Sequence, residues 1–283
     1  MYHPTISILL VLFVFAAASQ RAEAQPRPPF FALCMDTHDE KKRSIEEQNE
    51  MLRDLGFDGV ANLWLNGLPE RAASAKKTGL KVVQVYFRID LAAAEPFDTR
   101  LAAILPAVKD QGTQLALLIY GGKPSDETLD DKAVGIIQRI LDIAEPLGVH
   151  VVLYPHAGAW NETVADCVRI SRRFSDKKIG VMFNLCHWAA VDKSENLESV
   201  LRSAMPHLAA VTINGTDTPE EIQAKTGNWL QPLDAGAFDQ TKLFKILDNL
   251  GYRGPVGLQC YGISGDARIH LERSIKKWKS LRP

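Results

Sequence analysis

The chain has 283 residues, and its 33 Lys and Arg nearly balance its 34 Asp and Glu, for a formal net charge of −1. Because the basic residues form no stripe, we expect no nucleic-acid partner. The four cysteines, Cys34, Cys167, Cys186 and Cys260, are scattered without the paired spacing of a metal site, so we expect buried free thiols.

The first 24 residues have the features of a cleavable signal peptide. The apolar run from Ile6 to Ala18 is shorter than the roughly 20 residues that a transmembrane helix needs. It precedes Ala22-Glu23-Ala24, a small-x-small pattern before a cleavage site, although no Lys or Arg precedes the run. We therefore expect a signal peptide at 1–24, export to the periplasm or the medium, and no membrane anchor after cleavage.

Residues 25–283 are expected to form one domain, because eight short apolar runs there are each followed by a helical stretch. Such alternation predicts an α/β fold with parallel strands and outer helices, and eight units in a chain of this size favour a closed (β/α)8 TIM barrel over an open doubly wound sheet. The predicted strands are Phe30–Met35, Asp58–Trp64, Lys81–Phe87, Gln114–Tyr120, Val149–Tyr154, Ile179–Leu185, Ala209–Asn214 and Val256–Gln259. The predicted helices are Arg43–Leu55, Pro69–Thr78, Thr99–Lys109, Asp126–Leu147, Glu162–Phe174, Ser194–Met205, Gln240–Leu250 and Asp266–Leu281, with Ser125, Asn161 and Ser194 as caps.

Polar and aromatic residues at alternate positions end most of these strands, where a TIM barrel carries its active site. Two histidines at the ends of adjacent strands, His156 and His187, are the predicted acid–base residues, because imidazole titrates near neutrality. Tyr154 is a predicted proton donor. Asp36 is the predicted catalytic carboxylate, with an Asx turn as its alternative role.

The remaining strand-end residues are mainly neutral amides and aromatic rings. Amides donate and accept hydrogen bonds, and ring faces pack on the C–H face of a sugar, so this composition suits a neutral polyhydroxylated ligand better than a phosphate or an acid. Some of these rings have the alternative role of plugging the barrel. The predicted substrate-binding residues are His38, Asn62, Trp64, Gln84, Tyr86, Trp160, Asn184, Trp188, Asn214, Gln259 and Tyr261.

The longest irregular stretch, Gly215–Phe238, contains Trp229 and Asp234. Long loops in compact domains are often functional, so this one is either a lid over the site or a surface excursion.

Four segments carry a resemblance to a known family: LGFDGV (Leu55–Val60), GVHVVLYPHAG (Gly148–Gly158), VMFNLCHW (Val181–Trp188) and PLDAGAFD with LGYRGPVGLQ (Pro232–Gln259). Through them the chain resembles the xylose isomerase-like TIM barrels, the sugar phosphate isomerase/epimerase superfamily that also includes AP endonuclease family 2. The resemblance covers nearly all of the chain after residue 24. It implies a barrel that isomerises or epimerises a sugar.

That family usually binds a divalent ion through Glu after strand five, Asp after strand six, His on strand seven and Glu after strand eight. Here the corresponding residues are Tyr154, Asn184, Thr212 and Gln259, and only His187 matches the histidine of the family's Asp-x-x-His pattern. A hard cation needs anionic oxygen ligands, so we expect the usual Mn²⁺, Mg²⁺ or Zn²⁺ site to be lost. A reduced site made of His156, His187 and Asp36 is the alternative.

These observations predict an exported carbohydrate-active enzyme of the isomerase or epimerase type. Histidine would remove a proton next to a carbonyl of a sugar or keto-sugar. Two alternatives stay open, a keto-glycoside lyase or hydrolase and a sugar-binding barrel without turnover.

Overall fold

The eight strands close into a parallel barrel in the computed structural model, which describes residues 27–175 and 179–281. Each strand pairs with the next along the chain, and β1 also pairs with β8. The predicted (β/α)8 barrel is therefore confirmed, whereas the predicted signal peptide lies outside the described residues. The strands are β1 (Phe30–Leu33), β2 (Gly59–Leu63), β3 (Lys81–Asp90), β4 (Gln114–Tyr120), β5 (His150–Leu153), β6 (Ile179–Asn184), β7 (Leu208–Ile213) and β8 (Val256–Gln259).

Helices surround the barrel and cover the outward faces of the strands. They are α1 (Ile45–Leu55), α2 (Leu68–Thr78), α3 (Leu101–Ile104), α4 (Asp130–Ala144), α5 (Val164–Ser171), α6 (Leu185–Val191), α7 (Leu197–Ala204), α8 (Pro219–Gln223), α9 (Gln240–Asn249) and α10 (Ala267–Leu281). Local signals fix several ends: Ser44 and Glu47 form a capping box at the start of α1, and Gly56 ends it with a φ of 87°. No helix within the described ranges is long and apolar enough to cross a membrane.

The core has two layers, because successive strand residues point to opposite sides of the barrel wall. Outward side chains such as Val85 and Leu117 pack under the helices. Inward side chains, among them Phe31 and Met182, fill the barrel itself. The four cysteines are free and buried, as predicted.

Two segments differ from the predicted secondary structure. The helix predicted at Thr99–Lys109 is only Leu101–Ile104 followed by a 3₁₀ turn, because Pro106 supplies no backbone N–H to continue it. The segment after β6 was predicted as a strand end and loop but forms α6, whose first turn is capped by Asn184. α6 opens with Leu185 and Cys186, which continue the apolar pattern of β6.

The predicted caps of α4, α5 and the helix after Val191 are also wrong. Ser125 has a φ of 57° and its hydroxyl donates to Asp166, while the turn that leads into α4 is capped by Asp126. Thr163 caps α5 in place of Asn161. The Ser194 hydroxyl donates to Glu220, and Ser194 itself begins a 3₁₀ turn before α7.

Candidate active site

A cavity of about 480 Å³ opens at the C-terminal ends of the strands. Its size falls within the roughly 300–1,000 Å³ of small-molecule sites, at the end of the barrel where TIM-barrel enzymes carry their chemistry. None of the described residues that line it is Asp, Glu, Lys or Arg. They are Leu33, Cys34, Leu63, Trp64, Tyr86, Leu118, Tyr120, Tyr154, His156, Cys186, His187, Trp229, Leu230, Gln259 and Tyr261.

His156 and His187 form a close pair of rings in the wall of this cavity. Their ring centroids lie 3.8 Å apart with the planes tilted by 37°. His156 follows β5, and its Nδ1 donates to the Ala157 carbonyl at 2.9 Å, which leaves Nε2 as the unprotonated nitrogen of the neutral ring. His187 is placed by α6, where its backbone N–H donates to the Asn184 side chain. The structure thus brings the two predicted acid–base residues to one side of the cavity.

Both imidazoles are held in the neutral form. Burial lowers the pKa of His156 below the usual 6.5 of histidine. The pKa of His187 is lowered much further, by burial and then by the nearby His156. Two imidazole rings at this distance disfavour two positive charges. At neutral pH the pair therefore offers unprotonated nitrogens that can accept a proton.

The Tyr154 hydroxyl lies beside this pair and accepts two hydrogen bonds from amides. Asn184 Nδ2 donates to it at 2.7 Å, and Gln259 Nε2 donates at 3.3 Å. The Tyr154 ring meets the His187 ring edge-on at 5.6 Å. Burial raises the pKa of Tyr154 well above 10, so the phenol is neutral at physiological pH.

Three large aromatic side chains stand exposed at the cavity mouth. Trp64 and Trp229 are each 38% exposed, and Tyr261 is 51% exposed. Trp64 has a φ of 64°, unusual for a bulky residue, and Asn62 Nδ2 holds its carbonyl at 2.9 Å. Asn62 therefore supports the rim from behind, rather than lining the cavity as predicted.

Arg71, which was not predicted as a site residue, holds Asn62 in place. This α2 guanidinium is almost fully buried and donates to Asn62, and also to Gln48 and Asn49 on α1. Its position on the apolar face of α2, three residues after Leu68, is a sequence signal that could have identified it.

Loop Gly215–Phe238 supplies Trp229 and Leu230 to the cavity wall. The loop is tied down: it contains α8, and Gly215 and Gln231 exchange backbone hydrogen bonds. Asp234 lies apart from the cavity, where it accepts from Arg273 at 3.0 Å. That this loop acts as a lid remains a prediction, and Trp229 is the large side chain that it places in the cavity wall.

Asp36 and His38 lie outside the cavity in the structure. Both side chains are exposed. His38 reaches the rim only through an edge-on contact with Tyr261 at 5.7 Å. The predicted Asx turn at Asp36 is replaced, because Thr37 donates from both its N–H and its hydroxyl to the Cys34 carbonyl.

Four further residues predicted to contact the ligand do not line the cavity, and their side chains pack or hydrogen-bond within the protein. Trp160 is fully buried in the outer core and donates to the Asp126 carbonyl. Trp188 is buried against Phe183 and Phe238. Two buried amides complete this set and also do not line the cavity: Gln84 donates to Gln114 at 2.7 Å, and Asn214 donates to the carbonyls of Gly215 and Trp229.

The residues present do not fit the divalent ion that the sequence resemblance implies. Three of the four corresponding side chains, Tyr154, Asn184 and Gln259, hydrogen-bond one another as neutral groups. The fourth, Thr212, is a buried hydroxyl without a partner among the described residues. Across residues 27–175 and 179–281 no three His, Cys, Asp or Glu side chains group closely enough to hold a metal, so His156, His187 and Asp36 do not form the reduced site.

Comparison with known proteins identifies the family. The family model described as xylose isomerase-like TIM barrel matches residues 50–280, and the chain belongs to that family. Among curated proteins, none matches the chain.

Solved structures show the same fold at low sequence identity. An AP endonuclease, family 2, from Brucella melitensis is 18% identical with a TM-score of 0.68, covering 90% of this chain and 100% of its own. The 3-keto-D-glucoside 4-epimerase from E. coli is 17% identical, with a TM-score of 0.67 and coverage of 90% and 99%. The D-psicose 3-epimerase from Clostridium cellulolyticum H10, solved with D-tagatose, is 15% identical, with a TM-score of 0.68 and coverage of 90% and 98%.

Proposed function

We propose that this member of the xylose isomerase-like TIM barrel family removes a proton next to the carbonyl of a sugar or keto-sugar, as an isomerase or epimerase does. The observation that carries the proposal is the pair of neutral imidazoles, His156 and His187, with ring centroids 3.8 Å apart in the wall of a 480 Å³ cavity. A neutral imidazole is the form that accepts a proton.

The cavity suits an uncharged sugar. Its described lining carries no Lys or Arg for a phosphate, and three exposed rings, Trp64, Trp229 and Tyr261, can pack on sugar C–H faces. The expected export also favours an unphosphorylated sugar. Structural relatives named for 3-keto-D-glucoside, D-allulose and D-psicose make ketone-bearing sugars the first class to test.

The reaction begins with the breaking of a C–H bond. One histidine takes the proton, the electron pair moves to form an enolate, and the carbonyl oxygen gains the charge. Delivery of a proton to the opposite face of the same carbon completes an epimerisation. Delivery to the neighbouring carbon, with the proton of its hydroxyl moving to the enolate oxygen, completes an isomerisation. Loss of a leaving group from the carbon next to the same enolate would give the lyase, so the isomerase or epimerase and the lyase share the first step.

Solvent exchange separates turnover from binding. We expect the protein to exchange the α-hydrogen of a 3-keto-D-glucoside, D-allulose or D-tagatose for deuterium in D₂O, followed by NMR. His156→Gln and His187→Gln should each slow the exchange by about 10²-fold or more. His150→Gln is the matched control, because His150 begins β5, at the opposite end of the barrel.

Two results would contradict the proposal. Sugar binding without exchange, measured by calorimetry, would favour the sugar-binding barrel. Exchange that survives in the double variant of His156 and His187 would place the base elsewhere.

A further inference from the structure

We propose that the Tyr154 hydroxyl is the group that polarises the substrate carbonyl, with Asn184 and Gln259 as positioning residues that aim its proton into the cavity. This inference rests on the proposed function. It also gives the Tyr154, Asn184 and Gln259 side chains one joint role, where the sequence had suggested separate contacts with the ligand.

The two amides have fixed orientations because backbone donors hold their oxygens. Asn184 Oδ1 accepts from the His187 backbone N–H at 3.3 Å and from the Cys186 thiol at 3.0 Å. Gln259 Oε1 accepts from the Tyr261 backbone N–H at 3.0 Å. A backbone N–H needs an acceptor, so each amide must turn its NH₂ group toward Tyr154.

A phenol oxygen has two lone pairs and one proton. The NH₂ groups of Asn184 and Gln259 both donate, so they occupy the lone pairs of Tyr154 and cannot receive its proton. No other side chain in the described part of the chain accepts a hydrogen bond from this hydroxyl. Because Tyr154 lines the cavity, a ligand is the acceptor that remains.

The location suits an oxyanion. Tyr154 meets the His187 ring at 5.6 Å and the His156 ring at 6.0 Å, so one ligand can present its C–H to a histidine and its carbonyl oxygen to the phenol. As the C–H bond breaks and the electron pair moves onto that oxygen, the hydrogen bond from Tyr154 strengthens. Tyr154 keeps its proton, which its raised pKa favours, and the histidine carries the one that is removed.

This arrangement also accounts for the misfit with a cation. A divalent ion would stabilise the enolate oxygen from the positions that Tyr154, Asn184 and Gln259 hold here. A buried, preorganised neutral donor stabilises the same charge in a site of low polarity. The three substitutions therefore form a coherent replacement rather than three independent losses.

The test is the infrared carbonyl stretch of a ¹³C-labelled 3-keto-D-glucoside bound to the intact protein. A donor hydrogen bond lowers this frequency, so Tyr154→Phe should raise it and slow deuterium exchange by about 10²–10³-fold, with less than about a tenfold change in Kd. Asn184→Asp should act similarly, because a carboxylate accepts the phenol proton and turns it away from the ligand. Tyr252→Phe is the matched variant: this buried tyrosine does not line the cavity and its hydroxyl donates to the Pro255 carbonyl at 2.7 Å, so the frequency should stay unchanged.

The inference is overturned if Tyr154→Phe keeps its melting temperature, leaves the carbonyl frequency unchanged within the measurement error, and leaves the exchange rate within about threefold of the wild type. It is also overturned if Tyr252→Phe raises the frequency as much. The two proposals fail separately: a lowered carbonyl frequency that depends on Tyr154, in a protein without exchange, supports this inference and overturns the proposed function.

Discussion

Acid should destabilise this protein through one buried histidine on α10. His270 is 4% exposed, and neither ring nitrogen has a hydrogen-bond partner among the described residues. Burial lowers its pKa from 6.5 to about 4, against the opposing pull of Asp39 and Asp266, while Arg273 adds to the lowering. The unfolded chain takes up this proton near pH 6.5 and the folded chain only near pH 4, so stability falls as the pH drops through that window.

The size of the loss follows from the shift. A difference of about 2.5 units at about 1.4 kcal/mol per unit corresponds to roughly 3 kcal/mol of unfolding free energy, with no further loss from this group below pH 4. Urea unfolding between pH 4 and 7.5 should show the wild type losing about 3 kcal/mol more than His270→Leu, whose buried side chain does not titrate. Parallel curves for the two proteins would refute the reasoning.

Two further predictions concern the site itself. Because the pKa values of His156 and His187 are lowered, the deuterium exchange rate should not yet fall at pH 6.5, where an ordinary histidine is half protonated, and should fall only at more acidic pH. A rate that already halves at pH 6.5 would contradict this. Asn161→Leu removes the partners of two buried backbone groups, the Ile119 N–H and the Tyr154 carbonyl, and should cost about 3 kcal/mol in urea unfolding. The exposed Asn249→Ala is its control, expected within about 0.5 kcal/mol of the wild type.

The fold could be predicted because its signal repeats. Eight apolar runs alternate with helices, and alternation along each strand places polar ends on one face of the barrel. For the same reason the pairing of His156 with His187 followed from two adjacent strands. The family model confirms the suspected relationship over residues 50–280.

The hydrogen-bonding roles of the polar residues at the strand ends could not be predicted from the sequence pattern. Alternation gives the face of a side chain but not its hydrogen-bond partner. Asn62 and Asn214 satisfy the carbonyls of rim residues, Trp64 and Trp229, from neighbouring turns. Asn184 caps a helix because α6 begins immediately after β6. The mostly apolar sequence of α6 gave no sign of this helix start. Local loop geometry decides whether an amide faces a ligand or the backbone.

A crystal structure of the protein grown with D-allulose and Mn²⁺ tests the central claim most directly. The account predicts a sugar beneath Trp64 and Trp229, with its carbonyl oxygen at the Tyr154 hydroxyl and a carbon next to it facing His156 or His187. Anomalous scattering from manganese bound by Asn184, Gln259 or His187, with the sugar oxygens on the metal, would contradict it.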